Sequence, residues 1–83
     1  MKNKLSIEYC TSWAYLGRAV ALARTILTEH KDNFEELKLI PSHGGVLEVV
    51  LNDELVWSKK ELERYPEKGE VEEIIKEKIK NNN

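Results

Sequence analysis

Residues 4–12 read Lys4-Leu5-Ser6-Ile7-Glu8-Tyr9-Cys10-Thr11-Ser12, and this stretch decides the fold. Leu5, Ile7 and Tyr9 alternate with Lys4, Ser6 and Glu8, the period-two pattern of a half-buried strand. Thr11 and Ser12 are residue types that cap helix N-termini, and a helical pattern begins directly behind them. Leu16, Ala19, Val20, Ala23, Ile26 and Leu27 fall on one face at helical spacing, in a segment rich in the helix formers Ala, Leu and Arg. Gly17 within it is read as a point of close packing on a sheet. The helix should fade near Lys31-Asp32-Asn33.

Beyond this unit, Leu37-Lys38-Leu39-Ile40 reads as a short strand ended by Pro41, and Ser42-His43-Gly44-Gly45 as a turn. Val46–Leu51 is a β-branched strand. Asn52-Asp53 joins it to Leu55-Val56-Trp57, a hairpin signal. Lys59–Gly69 is polar, contains Pro66, and reads as a loop with room for one helical turn. Val71, Ile74, Ile75 and Ile79 form the stripe of a last helix, acidic at its start (Glu70, Glu72, Glu73) and basic at its end (Lys76, Lys78, Lys80), as the helix dipole prefers. Asn81–Asn83 should fray.

The order is therefore strand, helix, strand, strand, strand, helix. The first strand–helix–strand unit predicts a parallel pair, and the hairpin adds antiparallel strands. The expectation is an α/β two-layer sandwich, a mixed four-stranded sheet (βαβββα) with two main helices and one domain over residues 1–83.

Composition narrows the function classes. The 83 residues carry 13 Lys+Arg against 15 Asp+Glu, a net charge of −2, which argues against binding nucleic acid through phosphates. No apolar run reaches the roughly 20 residues of a membrane span, and Met1–Leu5 has positive charge with no apolar stretch behind it, so no signal peptide or membrane association is expected. The single cysteine excludes an internal disulfide framework and a four-cysteine zinc site. A cytoplasmic protein with a reduced Cys10 is the resulting expectation. A domain this small buries only about two-thirds of its unfolded surface, so chemistry should sit at the end of an element.

Cys10 is at such a place. It ends the first strand ahead of the first helix, where unpaired backbone N–H groups and the helix dipole stabilise a thiolate, the nucleophilic and redox-active form. The alternative is a small residue buried at a strand end.

Several segments resemble the selenoprotein W/T/H-related (Rdx) family of thioredoxin-like proteins. Ile7-Glu8-Tyr9-Cys10-Thr11-Ser12-Trp13 is similar to the family's strand followed by Cys-x-x-Cys or Cys-x-x-selenocysteine, and Arg18-Ala19 to its helical Arg-Ala pair. Pro41-Ser42-His43-Gly44-Gly45-Val46-Leu47-Glu48-Val49 resembles Pro-x-x-Gly-Gly-x-Phe-Glu-Val. Leu55-Val56-Trp57-Ser58-Lys59-Lys60 resembles Leu-(Ile/Leu)-Trp-Ser-(Lys/Arg)-Lys, and Arg64-Tyr65-Pro66-Glu67 resembles Arg-Phe-Pro-Glu/Asp. The four motifs stand in the same order and span Leu5 to about Ile79. The resemblance implies a thioredoxin-like fold and a small thiol-redox protein, with Cys10 at the first redox position. Its partners would be glutathione or thioredoxin and client protein thiols, with no separate cofactor.

Trp13 occupies the second position, that of the resolving Cys or selenocysteine. A dithiol enzyme needs a second sulfur to release a mixed disulfide, so the chain as written is monothiol. Trp13 has three readings: a substitution that retired dithiol chemistry, a packing residue at the helix start, or the place where the native gene encodes selenocysteine, since UGA and the Trp codon differ by one base. The competing functional reading is a non-catalytic protein-interaction module of the same fold, and a third is a homodimer linked through Cys10.

Other residue sets carry less. Ser42–Gly45 could form an anion nest with His43 as a base, but a glycine turn with an exposed His accounts for the same residues. A Cys10–His30–His43 metal site lacks ligand spacing, and a Ser42–His43–Asp53 triad lacks any reason for the three to meet. Trp57 is expected to pack on the sheet, or to join Trp13 and Tyr15 in a patch that docks a partner. Lys59-Lys60, followed by Glu61 and Glu63, read as solvated charge.

Overall fold

The computed structural model describes residues 2–12 and 14–81. It contains β1 (Asn3–Cys10), α1 (Tyr15–Glu29), β2 (Phe34–Ser42), β3 (Leu47–Leu51), β4 (Glu54–Ser58), the single turn α2 (Lys59–Leu62) and α3 (Glu70–Asn81). The strands form one sheet in the order β2-β1-β3-β4. β1 runs parallel to β2 and antiparallel to β3, and β3 pairs antiparallel with β4. This is the mixed sheet and element order expected from the sequence.

The core lies between one face of the sheet and the two long helices. Leu5, Ile7, Leu47, Val49, Leu51 and Trp57 point from the strands into the same cluster as Ala19, Leu22, Ala23 and Ile26 of α1 and Val71, Ile75 and Ile79 of α3. The buried positions of α1 fall at i, i+3, i+4 and i+7, and those of α3 at i, i+4 and i+8, so each helix presents one apolar stripe. The opposite face of β1 carries Lys4, Ser6 and Glu8, which are exposed or half-buried. Among the described residues, no helix is long and apolar enough to cross a membrane.

The Asn52-Asp53 turn forms as its residue types predict. Both residues have positive φ (50° and 72°), the requirement of a two-residue type I′ hairpin, and Asn and Asp tolerate that region.

Five local expectations are corrected. The strand β2 begins at Phe34 and runs through Pro41 to Ser42; Pro41 is tolerated because β2 is an edge strand. The helix α1 starts at Tyr15 with Ala14 as its N-cap and no side-chain cap, so Thr11 and Ser12 do not cap it. Leu22 joins the core while Leu16, Val20 and Leu27 are exposed, because α1 packs on α3 as well as on the sheet and its buried stripe is 19/22/23/26. Among the described residues nothing lies within 4 Å of a side chain built at Gly17, so it packs closely on no strand of the sheet.

The fifth correction concerns β4. Val49 pairs with Trp57 but Val50 pairs with Leu55, leaving Val56 as the extra residue of a bulge. The bulge breaks the alternation, so Leu55 is 46% exposed while Trp57 is 3% exposed in the core. Trp57 therefore contributes to no surface patch.

Candidate active site around Cys10

Cys10 is the last residue of β1, and its backbone is held on both sides. Its N–H donates to the Val46 carbonyl (3.0 Å), and the next N–H, of Thr11, donates to the Ser42 carbonyl (3.0 Å). The central strand thus delivers the sulfur between the end of β2 and the start of β3. Gly44 and Gly45 follow β2 with φ of 80° and 70°, two consecutive left-handed residues that a side chain would strain. Their turn leaves the Gly45 N–H where it favours the charged form of the Cys10 sulfur.

The thiol is held below the ordinary cysteine range. The largest cause is the Ser12 backbone N–H; burial opposes it, and the Gly45 N–H, the Ser12 hydroxyl and the Lys59 charge add to it. Each of these donors favours the charged sulfur over the neutral one. The activation thus comes from loop groups rather than from a helix start next to Cys10, since α1 begins five residues later. Cys10 itself is 3% exposed.

Lys59 is not the solvated charge that its acidic neighbours in sequence predict. It opens α2, is half-buried, and places its Nζ 3.6 Å from where a side chain at Gly45 would begin; the Tyr15 hydroxyl is 3.9 Å from the same point. Lys59 makes no ion pair among the described residues, and neither does Arg18. Ser58, just before Lys59, accepts the Glu61 N–H (3.1 Å) and bonds to Glu48, which fixes the start of α2.

A second layer stands behind the sulfur. The Tyr15 and Tyr65 rings are 4.8 Å apart, and the Arg18 guanidinium lies 4.6 Å from the Tyr65 ring centre. Burial pushes the pKa of Tyr65 above the usual phenol value; the Arg18 charge opposes that shift, and the Tyr15 and Cys10 charges add to it. Its hydroxyl is buried and has no hydrogen-bond partner among the described residues. The loop carrying Tyr65 is clamped at both ends. Arg64 donates two bonds to the Glu70 carboxylate (2.9 and 2.7 Å) and lies 5.0 Å from the Trp57 ring centre, and the Glu67 N–H donates to Glu70 (2.9 Å). Arg64 chiefly, with the Glu67 N–H, holds the Glu70 carboxyl down at about 2.

A groove of about 340 Å³ runs along this layer between α1 and α3, walled by Arg18, Leu22, Leu47, Tyr65, Pro66 and Val71. A larger hollow of about 830 Å³ lies by Lys4, Glu36, Lys38 and Asn52, toward the far end of β1.

Of the residues singled out by sequence, Trp13 lies outside the described residues. His43 is exposed on its glycine turn. His30 ends α1, at the end of the sheet away from Cys10, so the two histidines and the cysteine do not meet. Ser42 and Asp53 stand at opposite ends of the sheet, one closing β2 and the other in the β3–β4 turn.

A family model described as the Rdx family matches residues 4–77. The chain belongs to the Rdx family. The fold agrees with that of a selenoprotein W-related protein from Vibrio cholerae, with a TM-score of 0.84 and 24% identity over 95% of this chain and 99% of that one. A protein from Bordetella parapertussis is similar too, with a TM-score of 0.82 and 25% identity over 93% of this chain and 98% of that one. A search of curated proteins gives no match. This Rdx protein thus has the thioredoxin-like fold of its structural neighbours, and Cys10 sits where its sheet meets three loops.

Proposed function

We propose that this Rdx protein is a small cytoplasmic thiol-redox protein in which Cys10 is the nucleophile. The observation that carries the reading is that the Ser12 N–H, the Ser12 hydroxyl, the Gly45 N–H and the Lys59 charge all act to hold the Cys10 thiol below its ordinary range. Such donors raise the thiolate fraction at neutral pH. In the reaction the Cys10 thiolate attacks a disulfide: the S–S bond of the substrate breaks, a mixed disulfide to Cys10 forms, and the second sulfur leaves as a thiolate. An external thiol then attacks the mixed disulfide and returns Cys10 to its reduced form. Glutathione, thioredoxin or a client protein thiol would fill these roles.

Residue 13 decides how the cycle closes. With Trp13 the chain depends on an outside thiol; with selenocysteine in the native gene it would resolve its own mixed disulfide. A native UGG codon at position 13 removes the second version.

The burial of Cys10, 3% exposed, favours a second reading, an interaction module whose cysteine is structural. Incubation of the folded protein with glutathione disulfide, read by intact mass, separates the two. The redox reading expects one glutathionyl group on Cys10, removed by excess thiol and absent in Cys10→Ser. A Cys10 that takes up no adduct while the protein stays folded contradicts it, and a covalent dimer would mark the Cys10-linked homodimer instead.

A further inference from the structure

The two edges of the sheet are finished differently. β4 is five residues long and bulged, and Lys78 of α3 pairs with its first residue, Glu54. β2 is nine residues long, and among the described residues no strand pairs with its outer edge. The register with β1 shows what that edge offers. Leu5, Ile7 and Tyr9 pair with Leu37, Leu39 and Pro41, and the Thr11 N–H donates to the Ser42 carbonyl. In such a parallel ladder β1 bonds the even-numbered residues from Glu36 to Ser42, so the N–H and C=O groups of Leu37 and Leu39 point outward. Pro41, which has no N–H, falls in the same outward set.

Apolar side chains line this flank. Leu37 and Leu39 share the sheet face of Leu5 and Ile7, the face that α1 covers. Leu39 is 37% exposed, and Leu16, Val20 and Leu27 of α1 are 49%, 46% and 41% exposed. At helical spacing these three α1 residues lie opposite Arg18, Ala21 and Leu22, which wall the groove against α3. Because α3 lies over β4 and α1 over β1 and β2, the exposed stripe overhangs the β2 edge.

Free edges are commonly blunted by charge, yet the charges of β2 do not repel their own copy. Glu36 and Lys38 share the other face of the sheet, beside Lys4 and Ser6, and lie 3.7 Å apart within one chain. When two β2 strands pair antiparallel about a twofold axis at Leu37, each Glu36 falls opposite the Lys38 of the other copy. The two Leu37 residues then exchange N–H···O=C bonds. The regular pairing ends at Glu35, the extra residue of a bulge in β2. The neighbouring registers are poorer: an axis at Lys38 sets lysine against lysine, and an axis at Leu39 sets Pro41 against Leu37, whose carbonyl then finds no donor.

We propose that the β2 edge is a self-association surface. A second copy of this chain adds to it antiparallel through Glu36-Leu37-Lys38, continuing the sheet, with the Leu16, Val20 and Leu27 stripes of the two α1 helices facing each other across the axis. The same patch serves both copies, as a twofold contact requires. The contact does not use the Cys10 thiol, so it is distinct from a Cys10-linked dimer and independent of the redox reading.

The test is sedimentation equilibrium in excess thiol reductant, from micromolar to millimolar protein. The wild type should approach twice the mass of the chain as concentration rises. Glu36→Lys and Lys38→Glu each set like charges opposite one another at two places, and each should weaken association about tenfold. Val20→Glu should weaken it as well. All three positions are exposed, so the single chain should keep its fold. The two charge variants mixed in equal amounts should associate with each other as well as the wild type does, because the lysines of one then meet the glutamates of the other. A wild type that stays monomeric over the whole range overturns the proposal. So does association that any of the three variants leaves unchanged, or a mixture of the charge variants that associates no better than either alone.

Discussion

Polar groups gather at both ends of β1, and the two ends use them in opposite ways. At the start of the strand, Asn3 donates through its N–H and its Nδ2 to the Asn33 carbonyl (2.7 and 2.8 Å). Asn52 donates from its Nδ2 to Asn3 (2.7 Å), accepts the Lys4 N–H (2.8 Å) and returns its own N–H to the Lys4 carbonyl (2.9 Å). These groups satisfy one another, and the network locks the α1–β2 connection to the hairpin turn. At the far end, the donors of Ser12 and Gly45 and the Lys59 charge all favour negative charge on one sulfur, and the Tyr65 hydroxyl has no partner among the described residues. Matched polar groups make structure; a surplus of donors around a single atom makes a place where negative charge is welcome.

The sharpest way to break this comparison is at the saturated end. Asn3→Ala removes a buried side chain and strands the Asn52 amide, and should cost about 2 kcal/mol in denaturant unfolding. Cys10 alkylation should not change. A stability loss near zero, or an altered thiol rate, would erase the division between the two ends. A smaller effect is expected at the other end. Gly45→Ala places a side chain at φ 70° and should cost about 1 kcal/mol, as left-handed backbone does for ordinary residues. It also shifts the N–H that faces Cys10, so the thiol midpoint in an alkylation titration should move up. A midpoint that stays put would remove Gly45 from the site.

Much of the fold was legible because it is local. The alternation of Leu5, Ile7 and Tyr9, the Asn52-Asp53 turn and the Val71–Ile79 stripe each depend on a few neighbouring residues, and each formed. What the residues alone did not carry depends on distant partners. Pro41 continues β2 only because that strand has a free edge, and Leu55 turns outward, off the face that Trp57 buries, because Val56 bulges against β3. The site divides in the same way. The position of Cys10 at a strand end could be read directly. Ser12 reads as a helix cap and Lys59 as solvated charge, because the sulfur that each serves is brought to it by β1. Arg64 and Tyr65 show in the sequence only as part of a motif, and Glu70 only as an acidic residue at a helix start: their joint role needs the clamp that sets Tyr65 beside Tyr15.

The central claim is that this end of the sheet holds Cys10 as a ready thiolate. The most direct measurement is the rate of Cys10 alkylation by iodoacetamide as a function of pH, against a peptide cysteine under the same conditions. Because the folded thiol is shifted down, the rate should already be rising at a pH where the peptide, with a midpoint of about 8.5, is still largely protonated, and should exceed the peptide's at neutral pH. A midpoint at or above that of the peptide would contradict the account.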